Sequence, residues 1–179
     1  MPLSQKISPF LWFDSQAEDA AKFYTSIFPN SRIVAVTRYT EAGKEIHQRP
    51  PGSVMTVAFE LEGQAFTALN GGPLFKFSEA VSFVVSCETQ QQIDHYWEKL
   101  TAGGDPRAQQ CGWLKDKFGL SWQIVPKMMD ELFKDSSPGA QRAMAAMMQM
   151  KKLDIAKLKA AYSGAAVADD QIRSQQEPR

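Results

Sequence analysis

Apolar positions along the chain change their spacing in a set order, and the order occurs twice. The run Ile7-Ser8-Pro9-Phe10-Leu11-Trp12-Phe13 has the length and apolar density of a buried strand. Asp14 and Ser15 suit a helix N-cap, and Ala20, Phe23, Tyr24, Ile27 and Phe28 then recur at helical spacing until Pro29-Asn30 ends the helix. Three strand-like runs follow: Arg32 to Tyr39, Val54 to Glu62, and Gln64 to Asn70. Glu62-Gly63 makes a hairpin of the last two, and Gly71-Gly72-Pro73 closes the unit.

The pattern then restarts. Ala80 to Cys87 reads as a second buried strand. Thr89 caps a helix striped by Ile93, Tyr96, Trp97 and Leu100, and Gly103-Gly104 ends it. A short strand is expected around Arg107 to Gln110, then Cys111 to Lys117 and Leu120 to Val125, with Pro126 ending the sheet. Two βαβββ modules, about 6–73 and 79–126, therefore make one expected domain over 6–126. A curved four-stranded sheet cannot cover its own concave face, so two of them edge to edge leave a hollow fit for a ligand. Apolar stripes after Pro126 predict three helices over 127–162, and 163–179 reads as a polar, frayed tail.

Composition narrows the class. The 179 residues are 44% hydrophobic and 22% charged, as expected of a folded globular protein. Twenty basic and twenty acidic side chains cancel, leaving no basic excess for nucleic acid or an anionic membrane. No apolar run approaches the roughly 20 residues of a membrane span, and the N-terminus lacks signal-peptide character, so a cytoplasmic protein is expected. Cys87 and Cys111 form no CxxC and are expected to be reduced thiols. GxSxG, Walker and HExxH motifs are absent, which removes support for serine hydrolase, P-loop and zincin chemistry.

The paired modules resemble the vicinal oxygen chelate superfamily, which includes glyoxalase I, extradiol dioxygenases and bleomycin-resistance proteins. Pro9 to Phe13, Ala68 to Pro73 and Gly112 to Pro126 resemble its PhnB-like branch, often labelled demethylubiquinone methyltransferase, as does the Met-rich stretch Ala145 to Ile155. The resemblance implies an α+β glyoxalase/bleomycin-resistance fold with C-terminal helices. It places the superfamily's four metal-ligand positions on Ser8, Asn70, Ser82 and Gln123. Two hydroxyls and two neutral amides cannot replace the hydration shell of a divalent ion, so no metal is expected. No glycine-rich turn between strand and helix is present for S-adenosylmethionine either, so no cofactor is expected.

If Ser8 faces the hollow, alternation sends Phe10 and Trp12 there too, with Leu11 and Phe13 under the helices. Phe66, Ala68 and Asn70 are expected on the hollow face, as are Ser82, Val84 and Ser86, and Ser121, Gln123 and Val125. Trp113 joins them as a candidate ligand platform, while Trp122 falls on the helix side. The expected binding set is Ser8, Phe10, Trp12, Phe66, Asn70, Ser82, Val84, Trp113 and Gln123, suited to a small uncharged or aromatic ligand. Three readings stand. One is a metal-free binding protein; the second is a metal-independent isomerase, lyase or transferase polarising a carbonyl with Asn70 and Gln123; the third is a structural or interaction protein using the Met-rich helices, with a vestigial hollow. His47 is either a solvated loop residue or a base on a lid, and His95 lies on a helix surface. The Met stripe over 144–150 serves either a partner surface or internal packing. A homodimer is expected, because the superfamily often pairs modules between chains.

Overall fold

The computed structural model describes residues 5–165; the tail expected over 163–179 lies outside them from residue 166 onward. Two compact units divide the chain: Met1–Val81 with Phe118–Leu120, and Ser82–Lys117 with Ser121–Arg179.

The first unit contains β1 (Phe10–Phe13), α1 (Ala17–Ile27), β2 (Arg32–Arg38), α2 (Lys44–His47), β3 (Val54–Leu61) and β4 (Gln64–Asn70). The strands form a mixed sheet in the order β1-β4-β3-β2, with β1 parallel to β4 and the other pairs antiparallel. One strip of α1 buries Ala17, Ala20, Ala21, Tyr24 and Ile27. Its alanines let the helix lie close to the sheet, where Tyr24 stacks on Phe59 at 6.2 Å and Phe59 on Phe66 at 5.3 Å. Asp14 and Ser15 do not cap this helix. Its N-cap is Gln16, which makes no side-chain cap, and Asn70 reaches across from β4 to supply one. The short α2 falls in a stretch the pattern left as an irregular connection.

The β3–β4 hairpin sets which side each residue faces. Glu62 and Gly63 both have positive φ, 48° and 81°, the two-residue turn whose twist matches paired strands. Leu61 therefore pairs with Gln64, Phe59 with Phe66 and Val57 with Ala68. In the parallel ladder Leu11 pairs with Ala68 and Phe13 with Asn70. Paired residues share a face, so Phe66, Ala68 and Asn70 join Leu11 and Phe13 beneath α1. That corrects the expectation for β4: Thr67 and Leu69, not Phe66 and Asn70, share the open face with Phe10 and Trp12.

The second unit contains β5 (Ser82–Cys87), α3 (Gln90–Thr101), a 3-10 turn (Pro106–Ala108), β6 (Trp113–Lys115) and β7 (Ser121–Pro126). Three further helices follow: α4 (Met129–Leu132), α5 (Pro138–Met148) and α6 (Ile155–Ser163). Thr89 caps α3 as expected, its side chain accepting from the Gln92 N–H. Asp154 caps α6 in the same way. The sheet has three strands, ordered β5-β7-β6, with β5 parallel to β7. No strand forms over Arg107 to Gln110, so the second module is βαββ. Pro106 has no N–H to give a ladder, and Asp105 accepts from the Arg107 N–H to start the 3-10 turn instead. Only an isolated bridge from Gln110 to Trp113 survives there.

The C-terminal helices close around Leu132, Leu153 and Leu158, with Met128, Met147, Met150 and Tyr162 packed against them. The Met stripe thus splits: Met147 and Met150 pack inward, while Met144 and Met148 remain 41% and 53% exposed. Among the described residues no helix is long and apolar enough to cross a membrane.

Candidate functional site

In the second sheet, alternation places Ser82, Val84 and Ser86 of β5 on one face with Ser121, Gln123 and Val125 of β7. Trp113 pairs with Gln123 on that same face. The opposite face carries Cys87, Leu114, Trp122 and Ile124, all buried. Trp122 is anchored there by its indole N–H, which donates to Asp116 Oδ2 at 2.8 Å. The four candidates of this unit therefore come together. Gln123 sits between Val84 and Trp113, and its Nε2 donates to Ser82 Oγ at 2.8 Å. That bond takes one amide N–H and one hydroxyl lone pair. The Gln123 carbonyl is an acceptor by nature, and the Ser82 hydroxyl proton a donor, so the pair offers both polarities beside an exposed Val84 and an indole.

Ser121 shares this face and is not in the expected binding set. It pairs with both Ser82 and Lys115, is 1% exposed, and its hydroxyl has no hydrogen-bond partner. A buried polar atom without a partner costs about 1–3 kcal/mol.

In the first unit, Phe10 is 61% exposed and Trp12 half-buried on the open face. Trp12 is held rigidly. Its indole N–H donates to the Gly72 carbonyl at 2.9 Å, and Phe75 meets the ring edge-on at 4.9 Å. The ring lies against Gly71 so closely that a Cβ there would come within 2.3 Å of it. Ser8 lies two residues before β1, half-buried.

Asn70 and Phe66 do something else. Asn70 Oδ1 accepts from the Ala17 N–H at 2.8 Å, its Nδ2 donates to the Val54 carbonyl at 3.1 Å, and the Tyr39 hydroxyl donates to its backbone oxygen at 2.7 Å. Its amide joins strand to helix and leaves nothing aimed at the open face. Phe66 is a core ring stacked on Phe59.

Asn70 also edges a cleft of about 280 Å³ within the first unit, lined by Ser15, Glu18, Asp19, Arg49 and Ser53 among others. Arg49 is pinned there, one Nη2 donating to both the Asp14 carbonyl at 3.0 Å and the Asp14 carboxylate at 3.3 Å. His47 stands nearby in the chain, its ring centroid 4.5 Å from that of Tyr39 and tilted 36° to it, and its Nδ1 accepting from the Arg49 N–H. That fixed ring and its spent nitrogen argue against a free base on a lid. The cleft is charged and does not suit an uncharged aromatic guest.

Among the described residues there is no group of three or more His, Cys, Asp and Glu side chains that could hold a metal ion. Of the four positions the resemblance assigned to metal ligands, Ser82 and Gln123 share a face and a hydrogen bond, and Asn70 turns to the helix side.

The family model described as 3-demethylubiquinone-9 3-methyltransferase matches residues 5–125. A Bacillus cereus PhnB protein bearing the same description is 39% identical over 68% of this chain and 99% of its own, with a TM-score of 0.58. Protein PA1353 from Pseudomonas aeruginosa, 16% identical over 69% of this chain and 98% of its own, has a TM-score of 0.52, a likeness of fold alone. No protein of curated function matches the chain. The residues present do not fit the S-adenosylmethionine that such a description implies. The strand-to-helix connection Asp14-Ser15-Gln16 contains no glycine for close backbone approach, and its aspartate is already paired with Arg49.

Proposed function

The chain belongs to the 3-demethylubiquinone-9 3-methyltransferase family, and from that premise we propose that it binds a small uncharged, partly aromatic molecule without a divalent metal. The observation that carries this is the hydrogen bond from Gln123 to Ser82 on the open face of the second sheet, flanked by Val84 and Trp113. Where a metal-binding relative would place charged ligands, this face presents a neutral donor, a neutral acceptor and apolar surface. A neutral ring with a carbonyl or hydroxyl fits those groups, while a cation finds no charge to replace its water. In the first unit Phe10 stands exposed and Trp12 half-buried on the open face of their own sheet, with Ser8 two residues before that strand. Asn70 and Phe66 support the sheet and helix rather than the ligand. A homodimer is part of the proposal, since side chains as apolar as Phe10 and Val84 stand exposed, at 61% and 59%.

Isothermal calorimetry with a water-soluble short-chain ubiquinone analogue tests the reading. Saturable binding that weakens at least roughly tenfold in Gln123→Ala is the expected result. Saturable binding of S-adenosylmethionine would instead favour the methyltransferase named by the family description. Equal quinone binding by the wild type and Gln123→Ala would remove this face from the site.

A further inference from the structure

Two sulfur atoms from separate elements meet at the surface of the second unit. Cys111, in the turn before β6, has φ 51°, a conformation that non-glycine residues adopt rarely. Its N–H donates to the Met150 carbonyl at 2.8 Å, and the Gly112 N–H donates to the Lys151 carbonyl at 2.8 Å. Gln110 Nε2 donates to the Met148 carbonyl at 2.6 Å and lies 3.5 Å from Cys111 Sγ. These bonds tie the turn to the end of α5 and hold Cys111 Sγ 3.7 Å from Met148 Sδ. Packing does not account for Met148. Its neighbours Met147 and Met150 line the Leu132–Leu153–Leu158 cluster, while Met148 is 53% exposed beside the thiol.

We propose that Cys111 and Met148 form a binding site for a soft, closed-shell monovalent cation of the Cu⁺/Ag⁺ class. A thiolate and a thioether are the two soft donors a protein possesses, and they select such ions over hard ones. With metal–sulfur distances of about 2.3 Å, sulfurs 3.7 Å apart subtend about 107° at a shared ion. That angle is close to the tetrahedral one, so the ion is chelated with the backbone as it stands and solvent completes its shell. The step balances simply. The thiol S–H breaks, its proton goes to solvent, the sulfur–metal bond forms, the thioether gives a lone pair, and nothing is oxidised or reduced. Cys87 does not compete: it is 1% exposed, and burial pushes its thiol up to about 11. The site is independent of the proposed ligand-binding face.

Titration of the full chain with Ag⁺ in chloride-free buffer, followed by calorimetry and native mass spectrometry, tests the proposal. One ion should bind with release of one proton. Cys111→Ser should abolish binding, Cys87→Ser should leave it intact, and Met148→Leu should weaken it roughly tenfold or more. Met148 is exposed, so circular dichroism of Met148→Leu should match the wild type. Binding by Met148→Leu as tight as wild type would reduce the site to a solitary thiol and overturn the proposal, as would an ion that follows Cys87.

Discussion

At Asn70 a side chain amide is divided between two backbone partners, the Ala17 N–H at the head of α1 and the Val54 carbonyl at the start of β3. Asn70→Ala is therefore expected to cost about 1–3 kcal/mol in urea unfolding, because both partners lose a buried bond, and to leave ligand affinity nearly unchanged in the fraction that folds. Gln123→Ala should do the reverse, with stability within about 1 kcal/mol of wild type and binding weakened at least roughly tenfold. An unchanged midpoint for Asn70→Ala would mean that water replaces both bonds. The thiols divide as sharply. Cys87, desolvated by burial, ionises at about 11 rather than 9.0, so at pH 8 a disulfide reagent should titrate one thiol in the native protein and two in denaturant. Because the unfolded thiol loses its proton at lower pH than the folded one, stability from this group is intact below pH 9 and declines as pH rises from 9 towards 11.

At the scale of elements, two close approaches decide how strands and helices meet. Trp12 of β1 lies on Gly71 with no room for a Cβ, so Gly71→Ala must push the indole off its bond to Gly72. A loss of roughly 1–3 kcal/mol and a red-shifted tryptophan emission are expected; emission identical to wild type would show that the loop moves instead. The two faces of α5 and its exit make a second contrast. Met147 packs against the Leu132–Leu153–Leu158 cluster and Met148 does not, so Met147→Ala should lower the thermal midpoint clearly while Met148→Ala stays within about 0.5 kcal/mol. The hairpin at Glu62-Gly63 belongs here too. One turn of two residues determines which half of β4 is core, and a one-residue slip would exchange Asn70 for Leu69 beneath α1.

For the molecule as a whole, family membership and chemistry point in different directions. The family description names a methyl transfer, yet the first strand-to-helix connection has no glycine and the four positions that the resemblance assigned to metal ligands carry no charge. Elemental analysis of purified protein is expected to find no stoichiometric Zn²⁺, Ni²⁺ or Fe²⁺. One equivalent of any of them would sink the metal-free reading, whatever the quinone titration shows. Light scattering at a mass of two chains would support the proposed homodimer, and a monomer mass would overturn it.

Local order was legible in the linear pattern: apolar spacing of 3.6 or 2 marks helix and strand, Thr89 sits where a cap forms, and the family follows from motif strings. Within β5 and β7 the faces were legible as well, because alternation along a strand is a local property; Ser82, Val84 and Gln123 came out together. The face of Asn70 was not. Alternation says which residues share a side but not which side is inward, and that depends on register with β1 and β3, a long-range pairing. The missing strand at Arg107 to Gln110 was likewise a competition between ladder and turn, settled by Asp105 and Pro106. Sulfur atoms 37 residues apart in sequence meet only because backbone bonds join a turn to a helix end, and such proximity is decided by the folded chain.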